Sequence, residues 1–135
     1  KHRQRLDQML STPLQHSQKK KKQVYSARHL NLKYTTAHLN GRRVWNEDAI
    51  MCTPLTFCQG MLFVVCDGHG DCGSVASFVA LQLPKALELG HDRSVEEMNE
   101  EYWTKLCQDA ALKIDQDLKG AHLAGGSTAV WVIVT

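Results

Sequence analysis

No stretch of this sequence approaches the ~18 consecutive apolar residues that a membrane-spanning helix requires. A protein built on such helices is excluded. No Cys-x-x-Cys pair is present, no secretory signal stands ahead of the first cysteine, and the five cysteines (Cys52, Cys58, Cys66, Cys72 and Cys107) are an odd number. The pattern describes reduced thiols in a cytoplasmic or nuclear protein. There is no internal repeat, and neither aromatic residues nor a nucleic-acid motif accompany Lys19-Lys20-Lys21-Lys22.

What is present suffices for a folded unit: the chain has 135 residues, 43% of them hydrophobic, enough to bury the core of one domain. Its net charge of +2 hides an uneven distribution, because nine of the sixteen Lys and Arg but only one of the fourteen acidic residues fall in residues 1–33. The basic segment reads as a solvated tail in preference to a nuclear-import signal or a patch for nucleic acid or anionic lipid. The chain begins at Lys1 and stops inside the apolar run Ala129–Val134, so further chain is expected to complete the domain.

Residues 1–24 are polar and basic, broken by Ser11-Thr12-Pro13, and are expected to form a weakly ordered leader. Residues 25–135 are expected to form the structured unit. Strand-like spacing appears at Tyr34, Thr35 and Thr36, at Val44, and at Ala49–Cys52, where Pro54 is expected to end the run. Met61–Cys66 is a continuous apolar hexamer and reads as a strand buried on both faces. Two helices should follow. The first, from about Gly73 to Leu89, puts Val75, Phe78, Val79 and Leu83 on one side and should kink or restart at Pro84. The second opens on the capping box Ser94-Val-Glu-Glu97, carries Val95, Met98, Tyr102, Leu106, Ala110 and Ile114 at helical spacing, and should stop at Gly120. Gly125-Gly126 then leads into a last strand, Ser127 to Val134.

The residues that carry chemistry sit at strand ends. Asp67-Gly68-His69-Gly70 follows the apolar hexamer directly, so the sheet should fix Asp67 while the glycines allow a sharp turn and close approach to a ligand. An ionised Asp at the end of a buried strand is costly to leave unpaired, which argues for a cation beside it. Upstream, Arg42-Arg43-Val-Trp-Asn-Glu47-Asp48 concentrates guanidinium and carboxylate groups, and strand alternation would put Arg43, Trp45 and Glu47 on one face. Carboxylates without ordered Cys or His ligands suit Mg²⁺ or Mn²⁺ better than zinc, and an adjacent arginine suits an oxyanion such as phosphate. From the residues alone this suggests metal-assisted hydrolysis or phosphoryl transfer.

Three ordered blocks, Arg43 to Ala49 (RVWNEDA), Phe63 to Gly70 (FVVCDGHG) and Gly126 to Val130 (GSTAV), resemble the PP2C-type family of metal-dependent protein serine/threonine phosphatases over about residues 33–135. The resemblance implies an α+β fold, the N-terminal half of an αββα sandwich in which a central β-sandwich is flanked by helical pairs. It implies hydrolysis of phosphoserine and phosphothreonine in protein substrates by a water activated by two Mg²⁺ or Mn²⁺ ions. On that resemblance Asp67 bridges the two ions, Glu47 and the Gly68 carbonyl bind one, Asp48 holds their waters, Arg43 grips the phosphate, and His69 protonates the leaving oxygen.

The sequence departs from the family in two places. Asp71 stands where a further glycine is usual, and reads as the N-cap of the following helix in preference to a metal ligand. The family's remaining metal carboxylates lie downstream of the third block, so the chain by itself is expected to be inactive and to depend on the C-terminal half of the same domain. Ser127 and Thr128 have no partner base nearby and read as structural; Arg42 reads as solvated; Trp45, Trp103 and Trp131 read as packing residues. The alternative is a non-catalytic pseudophosphatase, a regulatory or binding module of the same fold.

Overall fold

The hexamer Met61–Cys66 lies in the central strand of a three-stranded antiparallel sheet. The computed structural model describes residues 24–27 and 30–135, so all but the last residue of the leader assigned to 1–24 lies outside the described residues. Strands β1 (Val24–Ala27) and β2 (Leu32–Thr35) form an antiparallel hairpin. Strands β3 (Ala49–Leu55), β4 (Gly60–Cys66) and β7 (Val130–Val134) form the sheet in the order β3-β4-β7. Two short strands, β5 (Gly68–His69) and β6 (Gly126–Ser127), pair with each other beside it. Between them run the helices α1 (Ser74–Gly90) and α2 (Glu100–Ala121). The fold is α+β, as expected, with two helices and a three-stranded antiparallel sheet among the described residues.

Alternation along β4 points Leu62, Val64 and Cys66 to one face, where all three are buried against α1 and α2. Helix α1 contributes Val75, Ala76, Val79, Ala80, Leu83 and Leu87 to this core; α2 contributes Tyr102, Leu106, Ala110 and Ile114, one residue per turn. The opposite face of α2 carries the i,i+4 pairs Lys105–Asp109, Lys113–Asp117 and Asp115–Lys119 in solvent. None of the helices among the described residues is long and apolar enough to cross a membrane.

The second face of β4 corrects the expectation of burial on both sides. Val65 is 53% exposed, and its neighbours on β7, Val130 and Val132, are 67% and 55% exposed. At the far end of this face Tyr34 of β2 meets Phe63 edge-on at 4.9 Å between ring centroids, so the hairpin covers only part of it.

Pro54 and Pro84 both lie inside single continuous elements. Pro54 does not end β3, which continues to Leu55; β3 lies at the edge of the sheet, so a residue without an N–H is tolerated there. Pro84 lies inside α1 without dividing it, a cost of ~3 kcal/mol set against the burial of Leu83 and Leu87 on either side. The Ser94 box closes only a 3-10 turn, Val95–Glu97, with the Glu97 carboxylate accepting from the Ser94 N–H at 3.3 Å. The cap of α2 is Asn99, whose Oδ1 accepts from the Tyr102 N–H at 2.9 Å. Gly120 does not stop α2; His122, in the left-handed region at φ 55°, does.

Candidate functional site

Residues 41–48 are not a strand. A turn closed by the Arg43 N–H donating to the Asn40 carbonyl at 3.1 Å, with Gly41 at φ 59°, leads into an irregular segment that becomes β3 only at Ala49. The alternation expected to align Arg43, Trp45 and Glu47 is therefore absent, and Trp45 is 56% exposed where packing was expected. Val44 is exposed too. Local order comes instead from Asn46, whose Oδ1 accepts the Asp48 N–H at 2.9 Å and bends the chain around Glu47.

Glu47 is held by glycines from two other segments. Gly68 is buried with its α-carbon against the Glu47 carbonyl and the Ala76 methyl group, leaving no room for a Cβ. At Gly73, with φ 79°, a Cβ would fall 2.8 Å from both the α-carbon and the carbonyl oxygen of Glu47. Gly73 also holds the N-cap position of α1, the place expected for Asp71, which instead starts a 3-10 turn, Asp71–Gly73.

Asp67 is positioned by main-chain contacts. Its carbonyl oxygen accepts the Thr128 N–H at 2.9 Å and lies 3.2 Å from the Ser127 hydroxyl, while Gly68 and His69 pair with Ser127 and Gly126. Ser127 and Thr128 thus hold the Asp67 main chain in place. The Asp67 side chain itself is exposed, so burial supplies no argument for a cation beside it.

Through these contacts the segments around Glu47, Asp67 and Ser127, far apart in sequence, meet at one point. There they leave a cleft of about 600 Å³ whose lining includes Arg42, Arg43, Glu47, Asp48 and Asp67. Among the described residues none of these five side chains forms an ion pair or hydrogen bond, although charges of both signs face the same space. His69 is not part of the lining: its ring rests on Gly126, where a Cβ would fall 2.6 Å from Nε2. Asn46 also lines the cleft, and its Nδ2 is buried without a partner.

The available donors are oxygens, the kind that hard cations take. Their number is short: among the described residues no three Asp, Glu, His or Cys side chains stand close enough together to hold a metal ion. The cysteines are not candidates for that role. Burial raises the thiol pKa of Cys52, Cys58 and Cys66, with a Ser127 hydrogen bond partly opposing the rise at Cys66, so all three stay protonated at neutral pH. Arg42, Asn46 and Gly73 were not singled out as site residues from the sequence. Only Gly73 had a usable signal, a glycine just before the helix that follows Asp-Gly-His-Gly.

No protein-family model matches the chain, and no curated protein is similar enough to it to count as a relative.

Proposed function

We propose that the cleft is part of the active site of a Mg²⁺- or Mn²⁺-dependent protein phosphatase acting on phosphoserine and phosphothreonine. The observation that carries this reading is the set of unpaired charges: two guanidinium groups and three carboxylates share one cleft and do not neutralise each other. Groups arranged in this way are free to take external partners of opposite sign, cations for the carboxylates and an oxyanion for the arginines. Three carboxylates would repel a phosphate unless cations were present, so the two ligands require each other.

In this reading Glu47, Asp67 and the Gly68 carbonyl hold the cations, with Asp48 orienting their waters. Divalent ions in such a pair lower the pKa of water and steady both attacking and leaving oxygens. Arg43 donates paired N–H bonds to the phosphoryl oxygens and aligns the phosphorus. His69 lies one residue beyond Gly68, and its imidazole would supply the proton to the serine or threonine oxygen. The remaining cation ligands would come from the C-terminal half of the domain.

The open apolar strip on the sheet supports the sandwich part of this proposal. Ile50, Val65 and Val130 stand side by side, as do Cys52, Phe63 and Val132, and the β1–β2 hairpin already occupies one end of that face. Further strands added to the hairpin would bury the strip and produce two facing sheets. The test is Asp67→Asn and Glu47→Gln in the intact protein. Both should lower phosphopeptide hydrolysis by at least ~10²-fold with the melting temperature kept; activity within a few-fold of wild type would overturn the assignment.

A non-catalytic module of the same fold is the second reading, favoured by the shortage of metal ligands in the cleft. It predicts phosphopeptide binding that neither depends on metal nor leads to phosphate release.

A further inference from the structure

We infer that Arg42 reads a second anionic group on the substrate, so that the cleft prefers a phosphorylated serine or threonine with an acidic or second phosphorylated residue close by. This rests on the phosphatase reading above and adds to it a class of substrate.

Arg42 and Arg43 are consecutive, exposed, and both line the cleft, held there by the turn that the Asn40 carbonyl closes on the Arg43 N–H. Neither guanidinium has an ion-pair partner among the described residues. Charge decides what each can take. A phosphate ester carries nearly two negative charges at neutral pH. That phosphate takes up Arg43, and Arg42 remains a positive charge with no anion paired to it among the described residues. A second anion on the same ligand would satisfy it.

Geometry fits this as well. A guanidinium can grip one oxyanion through two parallel N–H bonds, so two such forks from one turn can take two anionic groups of one ligand. In an extended peptide, side chains two residues apart share a face at a spacing of ~7 Å. A cleft of about 600 Å³ has room for a phosphoryl group and a neighbouring acidic side chain. Both a carboxylate and a second phosphate offer the required oxygens.

The experiment compares three phosphothreonine peptides on the intact protein with Mn²⁺, identical except for Asn, Asp or phosphoserine two residues away on either side. Turnover and fluorescence-anisotropy affinity are read in parallel, with p-nitrophenyl phosphate as a substrate lacking any flank. The wild-type protein should favour the anionic peptides by about tenfold in kcat/KM, chiefly through KM, the scale of one charge-assisted hydrogen bond. Arg42→Ala should lose that preference, with a loss on the anionic peptides about tenfold greater than on p-nitrophenyl phosphate, and Arg42→Lys should keep part of it. Equal use of all three peptides by the wild-type protein, a preference that survives Arg42→Ala, or an equal loss on every substrate would overturn the inference and leave the phosphatase reading standing. If nothing is turned over, the phosphatase reading fails, and the affinities decide alone: tighter binding of the anionic peptides that Arg42→Ala removes upholds the role of Arg42, and equal binding ends it.

Discussion

The α-carbon of Gly68 lies directly against the carbonyl oxygen of Glu47, so that any side chain at residue 68 would have to occupy the space of the Glu47 main chain. Two candidate site residues, one in the irregular segment before β3 and one in β5, are thus registered by backbone contact. Gly68→Ala should therefore force the segments apart, costing ~1–3 kcal/mol and reducing activity together with stability. Gly120, with open space around it in α2, is the control: Gly120→Ala should stabilise by up to ~1 kcal/mol. Thermal melts of the two variants should move in opposite directions.

Gly126 bears on His69 in another way. The nearest atoms to a Cβ at residue 126 belong to the imidazole ring, a side chain that can swing aside, so Gly126→Ala should change stability by less than ~1 kcal/mol. If His69 delivers a proton, removing the imidazole in His69→Ala should lower kcat by ~10²-fold, most strongly for substrates with poor leaving groups. A fall equal to that seen with p-nitrophenyl phosphate would argue against proton transfer by His69.

The strand residues and the long helix were legible in the sequence because burial imposes a period on them. Leu62, Val64 and Cys66 repeat at two, and Tyr102, Leu106, Ala110 and Ile114 repeat at four along α2. Pro54 and Pro84 were misleading, because a proline's cost depends on whether its strand is at an edge and what its helix buries. The segment from Arg43 to Asp48 read as strand-like, with alternation putting Arg43, Trp45 and Glu47 on one face; its conformation is set instead by a turn and by the Asn46 side chain. The chemistry-bearing residues could be named in advance, but not the way Gly68 and Gly73 enclose Glu47, since that contact joins parts of the chain that no periodicity connects.

Ser127 links the third sequence block to Asp67. Its hydroxyl lies 3.2 Å from the Asp67 carbonyl and 2.7 Å from the Thr128 carbonyl, and it also contacts the Cys66 thiol. Ser127→Ala should cost about 1 kcal/mol and loosen Asp67 while the Thr128 N–H still holds it. Urea denaturation would measure the first effect, and a raised metal requirement in the activity assay the second.

The buried thiols give a pH dependence with a definite sign. Burial raises the pKa of Cys58 and Cys66 above the ordinary thiol value of 9.0, so as pH climbs past that value the unfolded chain ionises first. Their contribution to stability is complete below pH 9.0 and is lost as the pH rises toward the folded-state values. Cys66→Ala should therefore show a smaller drop in urea midpoint between pH 8 and pH 10 than the wild-type protein. At pH 8 iodoacetamide should label exposed Cys72 and spare Cys58 and Cys66 until the fold opens.

The most direct test of the proposed function is phosphate release from a phosphothreonine peptide by the intact protein, measured with Mn²⁺ and again after chelation with readdition of the metal. The expected result is turnover with Mn²⁺, none in chelator, recovery on readdition, and no recovery in Asp67→Asn. Turnover that persists in chelator, or that Asp67→Asn leaves intact, would contradict it.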